Sequence, residues 1–304
     1  MNKSEDFLES LYYEFEQIHR GKEELIRKRL EFYRPIFQVY KEFCDKNPKF
    51  LDIGCGRGEF LELALSEGFE VEGVEINSIY VDICKKKGLK VYHQDGFSFL
   101  QSQPDAKYSI ISMIHVIEHL EFEYLLKIFL EIKRVLLPGG VLILETPYAK
   151  NPIVGLYNFW LDPTHKRPVH EEFIKFLGKN LGFANVEFIG INAEHRDLNE
   201  VKLSDAFFSS APDLSAILIK DTEDKSLLKN LLKAIEILKE NRSKDFIELL
   251  ARYDGALAEL VEKISEKFNS LDAELRSSRE ELNQVKARYD GALAELVEKI
   301  SEKF

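Results

Sequence analysis

Leu51-Asp52-Ile53-Gly54-Cys55-Gly56-Arg57-Gly58 places three glycines at alternate positions directly after a short apolar run, Lys49 to Ile53, and directly before an amphipathic stretch, Glu59 to Glu67. The pattern predicts a strand, a glycine turn and a helix. Without a Cβ in the way, a bound ligand can approach the backbone of such a turn closely. Its spacing is GxGxG rather than the GxGxxG that cradles a dinucleotide pyrophosphate at a helix N-terminus, so a nicotinamide dehydrogenase is the weaker expectation.

Reading downstream, Phe69 to Glu75 predicts a second strand, and Ser78 to Lys87 a helix. Short strands follow at Leu89 to Tyr92, Tyr108 to Ile114 and Val141 to Glu145. Leu137-Pro138-Gly139-Gly140 reads as a type II turn that launches the last of these. Helix 171–181 and strands at Val186 to Ile189 and Ser215 to Ile219 complete the pattern. Alternating strands and helices predict an α/β domain over residues 46–220, with a parallel sheet covered on both faces. Glu75 ends the second strand, where a carboxylate can accept from both hydroxyls of a ribose. Asp95-Gly96-Phe97 follows the third, where a carboxylate and an aromatic face suit an adenine ring.

DIGCGRG, VEGVEIN, HQDGF, MIHVIEHL and LLPGGVLILETP stand in the order and at the intervals of the class I S-adenosylmethionine-dependent methyltransferases, which residues 49–146 resemble. The resemblance implies a Rossmann-like seven-stranded sheet and S-adenosyl-L-methionine as cofactor. It implies that Asp52, Gly54, Cys55, Gly56 and Gly58 line the methionine part, that Glu75 and Ile76 meet the ribose, that Asp95, Gly96 and Phe97 approach the adenine, and that Ile114 and His115 close the pocket.

Residues 146–170 are too long and too rich in aromatics, proline and histidine for an ordinary connection. Tyr157, Phe159 and Trp160 can stack on sugar rings or pack the insertion over the sheet, and Lys166 and Arg167 can hold a carboxylate or phosphate. Methylating a hydroxyl requires removal of its proton, and histidine is the natural base. His115, His119, His165 and His170 are all expected at the carboxyl edge of the sheet. His165, flanked by Pro163 and Pro168, is the expected base; His115 and His119 read as structural or cofactor-side groups, and His170 as a cap or orienting group. Glu118 with His119 offers only two metal ligands, so no metal site is expected.

The run from the aromatic cluster through Asp162-Pro163-Thr164-His165 to His170, together with Arg20-Gly21 upstream, resembles methyltransferases of bacterial surface-polysaccharide (O-antigen, lipopolysaccharide) synthesis. In outline the chain is similar to the chain-terminating members that carry a long C-terminal coiled coil. The resemblance implies Arg20 on the cofactor side, and Tyr157, Trp160, Asp162, His165, Lys166, Arg167 and His170 around a glycan acceptor. The bifunctional members place a kinase before the coil, and residues 190–220 leave no room for one. Methylation of a small quinone-type metabolite, or an inactive scaffold of the same fold, are the alternative expectations.

The two ends of the chain are helical in pattern. Residues 1–45 repeat apolar positions at helical spacing, including Phe7, Leu11, Phe15, Ile18, Leu25 and Leu30, and read as helical cover for the sheet. Ala251 to Phe268 recurs unchanged as Ala287 to Phe304, thirty-six residues on, within a helical linker and coiled coil over 221–304. An apolar seam runs through Tyr253, Leu257, Leu260, Ile264, Phe268, Leu271, Leu275, Leu282, Val285 and Tyr289, with only Ser278 polar. Its mean spacing matches a relaxed α-helix, predicting a nearly straight bundle and a homo-oligomer, dimer or trimer. The second copy ends at Phe304, which suggests a natural chain that runs on.

A net charge of −11 argues against nucleic acid as a partner. Three cysteines without CxxC spacing indicate neither a disulfide framework nor zinc, and fit a reducing cytoplasm. No apolar run reaches the roughly 18–20 residues of a membrane span, so membrane contact is expected only through a partner such as a polysaccharide synthase.

Overall fold

The computed structural model describes residues 3–43, 47–193, 207, 209–243 and 255–301, with side chains described for 7–43, 47–193, 207, 209–243 and 261–291. In chain order come α1 (Lys3–His19), α2 (Glu23–Leu30), α3 (Arg34–Phe43), β1 (Lys49–Ile53), α4 (Glu59–Ser66), β2 (Glu70–Glu75), α5 (Ser78–Lys86), β3 (Val91–His93), α6 (Gly96–Gln101) and β4 (Tyr108–Ile114). Then follow α7 (Phe122–Val135), β5 (Leu136–Pro147), α8 (Pro152–Leu156), α9 (Glu171–Asn180), β6 (Phe183–Ile191), β7 (Asp213–Lys220), α10 (Lys225–Glu240) and α11 (Gly255–Ser301).

The seven strands form one sheet in the order β3-β2-β1-β4-β5-β7-β6. β1 to β5 run parallel, and β7 enters antiparallel between β5 and β6. Alternation along the strands divides the core. Phe50, Ile110, Val141, Ile143, Ile217 and Ile219 face one helical layer. Leu51, Ile53, Ile111, Met113, Leu142, Leu144 and Leu218 face the other, against Phe129 and Ile132 of α7 and Leu177 of α9.

Two local readings change. Gly139 has φ +74°, as a type II turn requires, but the turn interrupts β5 rather than preceding it: Leu136 already pairs with Tyr108, and the register then jumps to Val141 opposite Ile110. Tyr40 closes the bulge by donating to the Gly139 carbonyl at 2.6 Å. α10 lies beyond the boundary at residue 220 that composition suggests, yet it packs on α3. It buries Leu227, Leu231, Ala234, Ile235 and Leu238, and Asp224 caps it by accepting from the Ser226 and Leu227 amides. The first compact unit therefore comprises residues 1–200 and 204–246, and the second residues 201–203 and 247–304.

Within the second unit α11 is a single helix of 47 residues, about 70 Å long at 1.5 Å per residue. The seam residues Ile264, Phe268, Leu271, Leu275, Leu282, Val285 and Tyr289 are exposed on it. Tyr253 and the side chains of Leu257 and Leu260 lie outside the described residues, as does Cys44; Cys55 and Cys84 are buried and free. Among the described residues no helix is long and apolar enough to cross a membrane.

Candidate active site

The glycine turn leaves β1 with Gly54 at φ +72° and Gly56 at φ +51°, backbone conformations that disfavour side chains. Space is equally restrictive. A Cβ on Gly54 would lie 2.6 Å from Val116 Cγ2, and one on Gly56 would lie 2.5 Å from Arg20 Nη1. The turn is thus clasped between the segment after β4 and the Arg20-Gly21 corner, whose carbonyl at Gly21 accepts from Arg57 Nη2 at 3.1 Å. Arg57 is itself buried and paired with Glu59 at 2.7 Å. Cys55 is buried in the same turn, and Cys84 donates to the Gly56 carbonyl at 3.2 Å.

Glu75 lies where the sequence predicts it, at the end of β2, but its carboxylate also builds the turn. Oε2 accepts from the Gly56 amide at 2.9 Å, and Oε1 accepts from the Ile76 and Asn77 amides at 2.8 and 2.9 Å. Three of the four or so acceptor positions of a carboxylate are committed to backbone. Burial raises its pKa, which the backbone amides only partly offset. The Ile76 side chain is exposed beside it. Asp95 caps α6, accepting from the Phe97 and Ser98 amides, and takes the Tyr124 hydroxyl at 2.6 Å. Phe97 meets the Tyr124 ring edge-on at 6.1 Å, and Gly96 is buried against Ile53. A glycine turn, a carboxylate at the end of the second strand and an aromatic after the third lie together at the carboxyl edge of the sheet, an arrangement whose chemistry suits an adenosyl group attached to an amino acid.

Asp52 is buried on β1 and accepts from Ser112 Oγ at 2.6 Å. Burial pushes its pKa up to about 7 against the help of Ser112 and Arg20. A carboxyl whose folded pKa exceeds its unfolded value stabilises the fold fully below the unfolded pKa, and that contribution is lost as pH rises through the folded one. Asp52 is therefore expected to make the thermal midpoint fall as pH rises between about 4 and 7, and Asp52→Asn to remove that contribution to the slope over the same interval. Calorimetric scans of the two proteins across that range measure it; equal slopes would contradict the assignment.

α1 crosses the carboxyl edge of the sheet. Glu9 accepts from the Ser78 hydroxyl at 2.5 Å and the Ser78 amide at 3.1 Å, Tyr80 donates to Glu16, and Tyr12 donates to Asp162 at 3.1 Å. Tyr12 and Glu9 were not legible as site residues, because their partners lie 150 and 69 positions along the chain.

Beyond the glycine turn the structure brings three of the expected histidines close to one another. His115 directly follows β4, at φ +53°, and hydrogen-bonds Glu118 at 3.2 Å through Nδ1. Its side chain is 40% exposed, and what desolvation it has favours the neutral form, but Asp213, Glu118 and Glu145 outweigh this and raise the pKa. Its charge in turn holds the fully buried Glu118 below the ordinary glutamate range, against the upward effect of burial. Ile114, just before it, is half-buried. His119 and His165 meet ring to ring at 4.6 Å, and burial lowers the pKa of His119.

The insertion divides by function. Phe159 is 1% exposed and lies on the His165 ring at 4.4 Å, so it packs rather than stacking on a ligand. Tyr157 and Trp160 are 65% and 59% exposed. Lys166 pairs with Glu121, and its amide holds the Glu118 carbonyl at 2.9 Å. Arg167 lies over the Phe122 ring at 5.5 Å, with Nη2 buried and lacking a partner. His170 is exposed and caps α9 by accepting the Glu172 amide at 3.1 Å.

The sheet order and the glycine turn with Glu75 and Asp95 together define a class I methyltransferase domain. The methyltransferase-domain family model matches residues 19–188, more than half of the chain, and the chain belongs to that family: it is an S-adenosylmethionine-dependent methyltransferase. Among solved structures it is similar to a SAM-dependent methyltransferase from Archaeoglobus fulgidus, at 32% identity over 69% of this chain and 99% of that one, with TM-score 0.59. It is also similar to a SAM-dependent methyltransferase from Thermotoga maritima, at 18% identity over 70% and 97% of the two chains with TM-score 0.48. The magnesium protoporphyrin IX methyltransferase from Synechocystis PCC 6803, solved with bound SAH, gives 14% identity, 64% and 84% coverage and TM-score 0.45. No curated protein matches the chain.

Proposed function

We propose that the enzyme O-methylates a hydroxyl on a sugar or sugar acid at the end of a bacterial surface glycan. One observation carries this reading: His119, after β4, meets His165 of the insertion ring to ring, and the same insertion exposes Tyr157 and Trp160 and carries Arg167, whose Nη2 has no hydrogen-bond partner. Flat exposed aromatics suit the apolar faces of a sugar ring. An unpaired guanidinium nitrogen suits a uronic carboxylate or a phosphate. When bound, the cofactor supplies a methyl group on a sulfonium, and the acceptor hydroxyl must give up its proton at the moment of attack. The proton leaves at the Glu118–His119–His165 cluster, and Asp162 holds the loop that carries His165, through two hydrogen bonds from Thr164. Placement in the reducing cytoplasm agrees with the free Cys55 and Cys84. Incubating the full chain with methyl-labelled cofactor and synthetic oligosaccharides bearing neutral or acidic terminal sugars tests the assignment. Label on the terminal sugar is expected. Label only on a small phenol would replace the glycan reading with the quinone-precursor one.

The exposed stripe on α11 supports self-association through a coiled coil, which would space the active sites from a membrane-bound polysaccharide synthase. Changing Leu271 and Leu282 to Asp together is expected to convert an oligomer to a monomer in sedimentation equilibrium while S-adenosylhomocysteine affinity stays the same. A monomeric unmodified chain would contradict the coil.

A further inference from the structure

We propose that Glu118, His119 and His165 form a divalent transition-metal site. One ligand atom from each of these residues lies within 4.8 Å of the other two. The hydrogen bonds around them select what each can offer. His165 Nδ1 stands 2.6 Å from the Phe159 carbonyl, which only accepts, so Nδ1 carries the proton and Nε2 keeps its lone pair. Thr164 donates its hydroxyl hydrogen to Asp162 Oδ1 at 2.6 Å, so the same oxygen accepts from His119 Nδ1 at 2.8 Å, and His119 Nε2 is likewise a lone pair. Asp162 Oδ2 lies 3.9 Å from His165 Nε2, outside hydrogen-bond range. Glu118 is 0% exposed; Oε1 receives His115 Nδ1, and Oε2 is buried with no hydrogen-bond partner.

The cluster therefore brings together two imidazoles, each with a free Nε2 lone pair to which no described residue donates, and a carboxylate whose Oε2 is buried with no hydrogen-bond partner. A cation satisfies all three. Two nitrogens and one oxygen suit zinc, cobalt, manganese or iron better than magnesium or calcium. Each ligand is also held from behind, His165 by the Phe159 carbonyl, His119 by Thr164 and Asp162, and Glu118 by His115, as metal ligands are. Three protein ligands leave a position open. The role of the site rests on the O-methyltransferase reading above: the acceptor hydroxyl becomes the next ligand and loses its proton to water. Its oxygen then forms the O–CH3 bond as the sulfonium C–S bond breaks, and neutral S-adenosylhomocysteine leaves. With the metal present His165 acts as a ligand and not as the free base.

Untagged, full-length protein is freed of metal with a chelator and titrated with Co2+, reading the visible d–d absorption. About one Co2+ per chain is expected, with an intensified band of low coordination number that Zn2+ abolishes. Glu118→Gln and His119→Asn should each remove the band while S-adenosylhomocysteine titration confirms a folded cofactor site. Thr164→Val, which touches no metal, should weaken Co2+ binding by about ten- to a hundredfold. A spectrum no different from the aqueous ion, or one unchanged in both ligand variants, overturns the site. Glycan methylation at full rate by chelator-treated protein overturns the metal's role and leaves the O-methyltransferase reading intact, whereas a bound Co2+ in a protein that methylates no glycan supports the site and sinks that reading.

Discussion

Glu75→Ala is expected to weaken S-adenosylhomocysteine binding at least about a hundredfold in calorimetric titration, equivalent to roughly 2.7 kcal/mol. Two losses combine. The ribose contact that the family resemblance implies for Glu75 is lost, and the amides of Gly56, Ile76 and Asn77 lose their acceptor, which costs about 1–3 kcal/mol for each donor left unsatisfied. Because Gly56 is one of the three, the glycine turn loses its anchor in the same substitution. Glu75→Gln should fall between, since its amide oxygen can keep the Ile76 and Asn77 bonds while its NH2 opposes the Gly56 amide. Unchanged affinity in the alanine variant would show that the ribose is held elsewhere.

The second large effect is on turnover. His165→Asn is expected to lower kcat roughly a hundred- to ten-thousandfold, the range of a lost proton-transfer or activating group, with S-adenosylhomocysteine affinity unaltered. The side chain belongs to the insertion, not to the glycine turn, and Phe159 beneath it keeps the loop packed when the imidazole is gone. Single-turnover rates separate the chemical step from product release. An undiminished kcat would move the chemistry to another part of the insertion.

The sheet was readable because strands buried on both faces announce themselves as apolar runs. Tyr108 to Ile114 falls as expected to the residue. Leu137 to Gly140 misled because proline and glycine mark a turn equally well whether it precedes a strand or interrupts one; only the pairing of Leu136 with Tyr108 distinguishes these. α10 has the charge-rich, apolar-striped composition of the coil that follows it, and its buried stripe becomes intelligible only once α3, some 190 residues upstream, is beside it. In the site, topology sufficed to bring His119 and His165 to one edge of the sheet. It could not reveal that Thr164 and the Phe159 carbonyl fix both rings in the same tautomer, nor that Glu118 Oε2 is left without a donor. Those facts depend on side-chain positions that no periodicity encodes.

Thirty-six residues at 3.6 per turn make ten whole turns, so the described parts of the two identical segments, residues 255–265 and 291–301, stand about 54 Å apart along α11 at the same azimuth. Recombination between them would delete or duplicate one unit without rotating a single seam residue off its stripe. A helix changed by one such unit is therefore about 54 Å shorter or longer, with every remaining seam residue at its original azimuth.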